Sequence, residues 1–243
     1  MSILLEDDLF KNNEKHIVDE CMTFMLAATQ TTATVTTNVL YFLSKHTNLR
    51  EKLRAEMRRY IDPSIREFTK LSGQDWVDLL LKQEVVNECN YLSYCVTESL
   101  RINPPVRVST KMRPTEDITL SNGFKLIADQ PLNFNIIYLQ TNAEHWREPD
   151  EYIPERFDPT SEYFLRPDGK KRHPMCYQPF LGGRRICLGK SFAETIVKCV
   201  LAMFIAMVDF EFADPKIREK KPPNTFVHRE PVYDMFVKEA PAF

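Results

Sequence analysis

No stretch of this chain stays apolar for the ~20 residues a bilayer span requires, because charged residues interrupt every hydrophobic run. No basic, apolar and small-residue signal opens it either. Its six cysteines, Cys21, Cys89, Cys95, Cys176, Cys187 and Cys199, form no C-x-x-C pair, which argues against a zinc site and suits a reducing compartment. There is little excess of charge. The formal net charge is -2 with 27% charged residues, so nucleic acid is not implied as a partner. Internal repeats, low-complexity tracts and a dividing linker are also lacking. What remains is 243 residues, 43% of them hydrophobic, enough for a real core.

Neither Gly nor Pro occurs from Glu14 to Lys45, and Ile17, Cys21, Phe24, Met25 and Ala28 recur at helical spacing, which predicts one long helix. Its centre is crowded with Thr29, Thr31, Thr32, Thr34, Val35, Thr36 and Thr37, β-branched residues that lower helix propensity and make packing responsible for the conformation. A second helix is predicted from a Thr47 or Asn48 cap to about Tyr60, ended by Pro63, with Arg50, Glu51, Lys52, Arg54, Glu56, Arg58 and Arg59 on its outer face. A third runs from Tyr91 to Ile102 and is closed by Asn103, Pro104 and Pro105.

The pattern then changes to short β-compatible runs at 106–112, 118–120, 124–127 and 132–139, with Ser121-Asn122-Gly123 as a hairpin turn. The proline-rich segment 141–180 reads as ordered but irregular, with at most a short helix around Ala143 to Trp146. A last helix, Lys190 to about Val208, precedes two or three terminal strands. The fold class expected is mainly α with a small β-sheet (α+β).

Phe180-Leu181-Gly182-Gly183-Arg184-Arg185-Ile186-Cys187-Leu188-Gly189 sets a cysteine in a glycine-rich loop just before an apolar helix. Glycines allow close backbone approach and positive φ, so a flat ligand can lie against the loop. The helix dipole and the two arginines favour thiolate, the form that binds metal. A single cysteine taken at random is more often a buried structural one. Spacing decides otherwise here. Phe180, Gly183, Arg185, Cys187 and Gly189 match F-x-x-G-x-R-x-C-x-G, and five such identities arise by chance on the order of once in 10^4 chains of this length.

These residues resemble the haem-ligand signature of the cytochrome P-450 family of haem-thiolate monooxygenases. The resemblance implies that Cys187 is the proximal iron ligand, Phe180 the aromatic near the sulfur and Arg185 a propionate partner, with haem b (iron protoporphyrin IX) as cofactor. Ile196 departs from a Glu frequent in the family. Glu98 and Arg101 form E-x-x-R, an i,i+3 pair that alone means little. Before Pro154-Glu155-Arg156-Phe157 it is similar to the family's E-x-x-R and P-E-R-F elements. That likeness implies a buried structural triad of Glu98, Arg101 and Arg156.

Ala27-Ala28-Thr29-Gln30-Thr31-Thr32 looks like the oxygen-activation motif A-G-x-[DE]-T-T, with Ala28 in place of Gly and Gln30 in place of the acid. Thr31 and Gln30 are thereby catalytic candidates, although a mid-helix threonine commonly bonds the carbonyl one turn back. An amide cannot titrate as a carboxylate does, so thiolate-haem isomerases and hydroperoxide-rearranging enzymes stay open as alternatives, as does a non-catalytic haem-binding fragment. Lys111 stands where relatives often present a base to a propionate, and Lys170-Lys171-Arg172-His173 is either a solvated loop or a docking site. The implied partners are an electron-donor protein of reductase or ferredoxin type, O2 and an apolar small molecule. The resemblance covers residues 1–243 as the carboxyl-terminal part of one domain; family members carry a further amino-terminal half, often anchored in the endoplasmic reticulum membrane. The chain alone is therefore expected to be inactive.

Overall fold

The computed structural model describes residues 10, 13–60, 70–79, 85–219 and 234–240. Helix α1, Glu14–Lys45, starts where the Asn13 side chain accepts the His16 N–H at 3.2 Å, a side-chain cap of the usual kind. Its carboxyl-terminal half buries Val35, Val39, Phe42 and Leu43 at helical spacing. Helix α2, Thr47–Met57, begins differently from expectation: His46 is the cap residue and makes no side-chain bond, and a turn replaces helix at 58–60. The predicted terminator Pro63 lies outside the described residues. Helices α3, Gly73–Val77, and α4, Val85–Glu88, are short.

The outer face expected for the second helix holds at Glu51, Lys52, Arg58 and Arg59, which are exposed, and fails at Arg50 and Arg54. Arg50 and Arg54 are buried, and both pair with Asp209 at 3.2 Å. Arg54 also donates to the Val208 carbonyl at 3.0 Å. Glu56 reaches helix α5, Asn90–Ile102, where its carboxylate accepts the Tyr91 N–H at 2.8 Å and the Cys89 thiol at 2.8 Å. An anion at a helix amino terminus satisfies unpaired N–H groups and faces the positive end of the dipole. It substitutes for the missing side-chain cap at Cys89.

Strands β1, Ile118–Thr119, and β2, Lys125–Leu126, form the expected antiparallel hairpin, with Gly123 at φ 84° in its turn. Residues 132–139 do not form the expected strand. Leu132 and Asn135 make isolated bridges to Met112 and Val108, after which helix α6, Ile136–Thr141, takes over. Asn135 caps it by accepting the Tyr138 N–H at 3.1 Å, and Ile136 and Gln140, four residues apart, share the buried face. Segment 143–146 is a turn, not a helix: the N–H groups of His145 and Trp146 both bond the Asn142 carbonyl at 3.0 Å. The stretch from Pro154–Phe157 to Gly183–Arg185 is irregular, with single 3-10 turns.

Helix α7, Lys190–Met207, packs against α1 and α5 and leads directly into β3, Val208–Phe212. Antiparallel β4, Met235–Glu239, pairs with it, Phe210 opposite Val237. The core is where the three helices meet: Val39 and Leu43 from α1, Leu92 and Val96 from α5, Leu201 and Ile205 from α7. Each such buried side chain contributes about 1.5–3 kcal/mol. Among the described residues no helix is long and apolar enough to cross a membrane.

Candidate active site

The cysteine loop is a ring closed by the Cys187 N–H, which donates to the Phe180 carbonyl at 2.9 Å. Inside it Gly183 takes φ 64°, a left-handed conformation that side chains other than glycine rarely adopt, and opens a 3-10 turn through Arg185. Cys187 is the exposed member of the six cysteines and none of them is bonded to another. Cys89 and Cys95 are buried, and desolvation, the first cause in each, pushes both thiols above their ordinary pKa. They suit packing rather than metal binding.

A cavity of about 520 Å3 lies between this loop and α1. Phe180, Leu181, Arg185 and Cys187 form one wall; Leu26, Ala27, Gln30, Thr31 and Val35 of α1 form another; Val96, Leu100 and Val197 close its base. The structure thus brings Thr31 and Gln30 to the same cavity as the cysteine. Thr31 Oγ1 donates to the Ala27 carbonyl at 2.6 Å, so its hydrogen is directed along the helix and its oxygen is left as an acceptor. Gly183 and Gly189 belong to the loop backbone but not to the cavity wall, and Lys111 is exposed and off the wall, although its neighbour Thr110 is on it.

Glu98, Arg101 and Arg156 meet behind the loop, all 0% exposed. Arg101 grips Glu98 with two bonds, Nε to Oε2 at 2.7 Å and Nη2 to Oε1 at 2.8 Å, while Arg156 Nε and the Ile153 N–H reach Oε1 at 3.0 and 2.9 Å. The remaining guanidinium donors go to backbone carbonyls: Arg101 to Gln140, Pro149 and Glu151, Arg156 to Arg147 and Glu148. Burial lowers the Arg156 pKa and the Glu98 carboxylate pulls it back. Buried charges of this kind persist only where every donor has an acceptor.

Arg172 departs from the reading of 170–173 as a basic surface run. Its guanidinium turns inward over the Trp146 ring, 4.4 Å from the centroid, and donates to the carbonyls of Arg156 at 2.5 Å and Tyr163 at 2.8 Å. Burial first, then repulsion from Arg156, brings its pKa down to about 10. Lys170 and Lys171 stay exposed. The sequence gives no local sign of this arrangement, since the acceptors are backbone groups.

A family model described as Cytochrome P450 matches residues 2–236. The chain belongs to the cytochrome P450 family. Cytochrome P450 4F4 of Rattus norvegicus is 32% identical over 198 residues, covering 82% of this chain and 34% of that protein. Cytochrome P450 4F8 of Homo sapiens is 32% identical over 206 residues, covering 83% of this chain and 35% of that protein. Cytochrome P450 4F11 of Homo sapiens is 29% identical over 225 residues, covering 93% and 39%. The chain therefore spans somewhat more than a third of the length of these cytochromes P450. The family is one of haem-thiolate monooxygenases, and the mostly helical architecture with small antiparallel sheets is consistent with part of its fold.

Proposed function

We propose that the chain supplies the haem-ligating part of a haem-thiolate monooxygenase, in which Cys187 would hold the iron of a haem b. The reading is carried by one observation: the exposed cysteine lines the same cavity as Thr31 and Gln30. Among the described residues no three His, Cys, Asp or Glu side chains converge on a common point. Cys187 would hold the iron, and a macrocycle lying in the cavity would supply further donors. Leu26, Val35, Val96, Leu100 and Phe180 suit the faces of that ring, and Arg185 offers a planar fork to its carboxylates. Lys111, next to the wall residue Thr110, is a second candidate cation for a propionate.

When bound, the haem supplies oxygen activation, cysteinate donation to iron favouring O–O cleavage, an effect for which cytochromes P450 are the standard example. The Thr31 oxygen would accept a hydrogen bond from a molecule held in the cavity, and Gln30 would orient water without titrating. Glu98, Arg101 and Arg156 fix the scaffold and touch no reactant. O2, an apolar organic substrate and an electron-donor protein complete the reaction. A second reading, isomerisation or hydroperoxide rearrangement at the same thiolate haem, is favoured by the Thr31 hydrogen lying on the Ala27 carbonyl and by the amide at Gln30.

The test of haem ligation is optical. Reduced, carbon monoxide-bound protein is expected to show the long-wavelength Soret band of thiolate ligation, and Cys187→Ala to lose it while keeping its helical content. Retention of the band in that variant refutes the assignment.

A further inference from the structure

Gln140 belongs to none of the motifs that mark the site, yet its side chain links the E-x-x-R helix to the cysteine loop. It sits in the last turn of α6 and is fully buried. Its Nε2 donates to two carbonyls at the end of α5, Leu100 at 2.9 Å and Arg101 at 3.0 Å. Its Oε1 accepts the backbone N–H of Gln178 at 2.8 Å. A carboxamide has two N–H donors and one oxygen, so both donors face α5 and the oxygen faces the loop. The backbone of Gln140 takes part as well, accepting Arg101 Nη1 at 2.9 Å.

Gln178 stands two residues before Phe180, whose carbonyl holds the Cys187 N–H at 2.9 Å. A chain of bonds therefore runs from Glu98 through Arg101 and Gln140 to Gln178 and, across the ring, to Cys187. The neighbouring attachment is weaker, since the Tyr177 hydroxyl reaches the Thr97 carbonyl at 3.3 Å. Packing adds to the constraint: a Cβ built on Gly182 would come within 2.8 Å of Gln178 Oε1, so the loop's first glycine lies directly against the Gln178 side chain. An error in the placement of Gln178 is passed to the loop.

We infer that Gln140 is a positioning residue that sets where the cysteine loop begins and hence where the Cys187 sulfur stands in the cavity. This rests on the reading that Cys187 ligates iron. Partners that orient a metal ligand from behind change metal affinity when removed, even though they touch no metal themselves. Gln140 acts one step further back, through the backbone.

Two variants separate positioning from plain stability. Gln140→Leu deletes all three side-chain bonds at similar volume, whereas Gln140→Glu, buried and protonated, keeps an acceptor oxygen and one O–H donor. In the haem-free chain, amide hydrogen exchange at Gln178 and Cys187 is expected to quicken about tenfold in Gln140→Leu relative to core amides such as Leu92, the effect of losing one buried hydrogen bond. In the haem-loaded protein the ratio of thiolate-ligated to non-thiolate carbon monoxide complex is expected to fall about tenfold in the same variant. Gln140→Glu is expected to lose stability yet keep both readings near wild type.

Should Gln140→Leu not fold, Gln140→Asn, one methylene too short to span both partners, takes its place with the same expected changes. The inference is overturned if the bond-deleting variant exchanges its Cys187 amide at the wild-type rate, or if Gln140→Glu fails as fully as Gln140→Leu. If wild-type protein itself shows no thiolate band, the haem-ligand reading fails, and the exchange measurement still decides the role of Gln140.

Discussion

Glu98, Arg101 and Arg156 stand behind the cysteine loop, 0% exposed and paired at 2.7 and 3.0 Å, whereas Met22, Met25 and Leu26 on the first half of α1 are 61%, 66% and 73% exposed. One wall of the cavity is held by contacts between residues far apart in sequence. The other is carried by α1, whose first half is exposed and bonded mainly within its own helix. Thr23, Thr29, Thr31 and Thr34 each donate a side-chain hydrogen to the carbonyl four residues back, and these local bonds fix side-chain direction without tying the helix to anything else. The difference separates two kinds of residue. Substitution at the buried triad is expected to change whether the chain folds; substitution on the exposed half of α1 is expected to change what the cavity can do.

The largest effect is expected from Glu98→Ala or Arg156→Ala. Either strands a buried charge with its partners still in place, at a cost of about 3–5 kcal/mol, which for a chain of this size lowers Tm by roughly 6–20 °C. Thermal and urea unfolding measure it, and haem content should fall in proportion to the folded fraction. A variant with wild-type stability and impaired turnover would dissolve the distinction between the two walls.

Asp209→Asn tests the same principle at the rim of the scaffold with a smaller effect. Burial alone would raise the Asp209 pKa, but Arg50, Arg54 and Lys238 together outweigh it and the net shift is downward. A carboxyl group with a lowered folded-state pKa adds stability that is fully present above the ordinary value near 3.9 and is lost as pH falls through the folded value. Wild-type stability is therefore expected to fall below about pH 4, with a shallower acid limb in Asp209→Asn. At neutral pH the substitution weakens charge-assisted bonds to Arg50 and Arg54, costing about 1.5–3 kcal/mol. Unfolding free energies across pH 3–7, extrapolated from urea titrations, give both numbers. An unchanged acid limb would mean that α2 is not fastened to β3 through this carboxylate.

These non-local ties mark where the sequence stops being legible. Helices α1, α5 and α7 and the β1–β2 hairpin follow from apolar spacing, a proline pair and an Asn-Gly turn, all local signals. The cysteine loop is equally readable because its glycines and arginine are contiguous. By contrast Ile136-Ile137-Tyr138-Leu139 has strand composition, and becomes helix because Asn135 caps it and Gln140 finds two carbonyls on α5. Arg50 and Arg54 look like solvent residues until Asp209, more than 150 positions away, is brought beside them. Arg172 looks like part of a basic loop, and its acceptors are main-chain carbonyls that carry no residue identity at all.

The smallest stability change and the sharpest functional one are expected together at Thr31. Its hydroxyl donates to the Ala27 carbonyl at 2.6 Å, and the bond is local, so Thr31→Val, which is nearly the same size, should alter unfolding free energy by no more than about 0.5 kcal/mol. The substitution leaves the Ala27 carbonyl with its helical partner and removes from the cavity the one thing the threonine offers it, an acceptor oxygen. In the proposed monooxygenase that oxygen would position water in the cavity, and its loss is expected to lower the share of consumed oxygen that reaches product. Product formed per O2 consumed should therefore fall in Thr31→Val and be restored in Thr31→Ser, which keeps the hydroxyl, while haem content stays constant in both. Because Thr31 Oγ1 directs its hydrogen along the helix, it is expected to act as acceptor only, and Gln30→Glu, which adds a titratable group one residue away, should raise the ratio above wild type. A ratio indifferent to Val, Ser and Glu would reduce both residues to lining and favour the rearrangement chemistry, which uses the same thiolate haem and needs no proton delivered from α1.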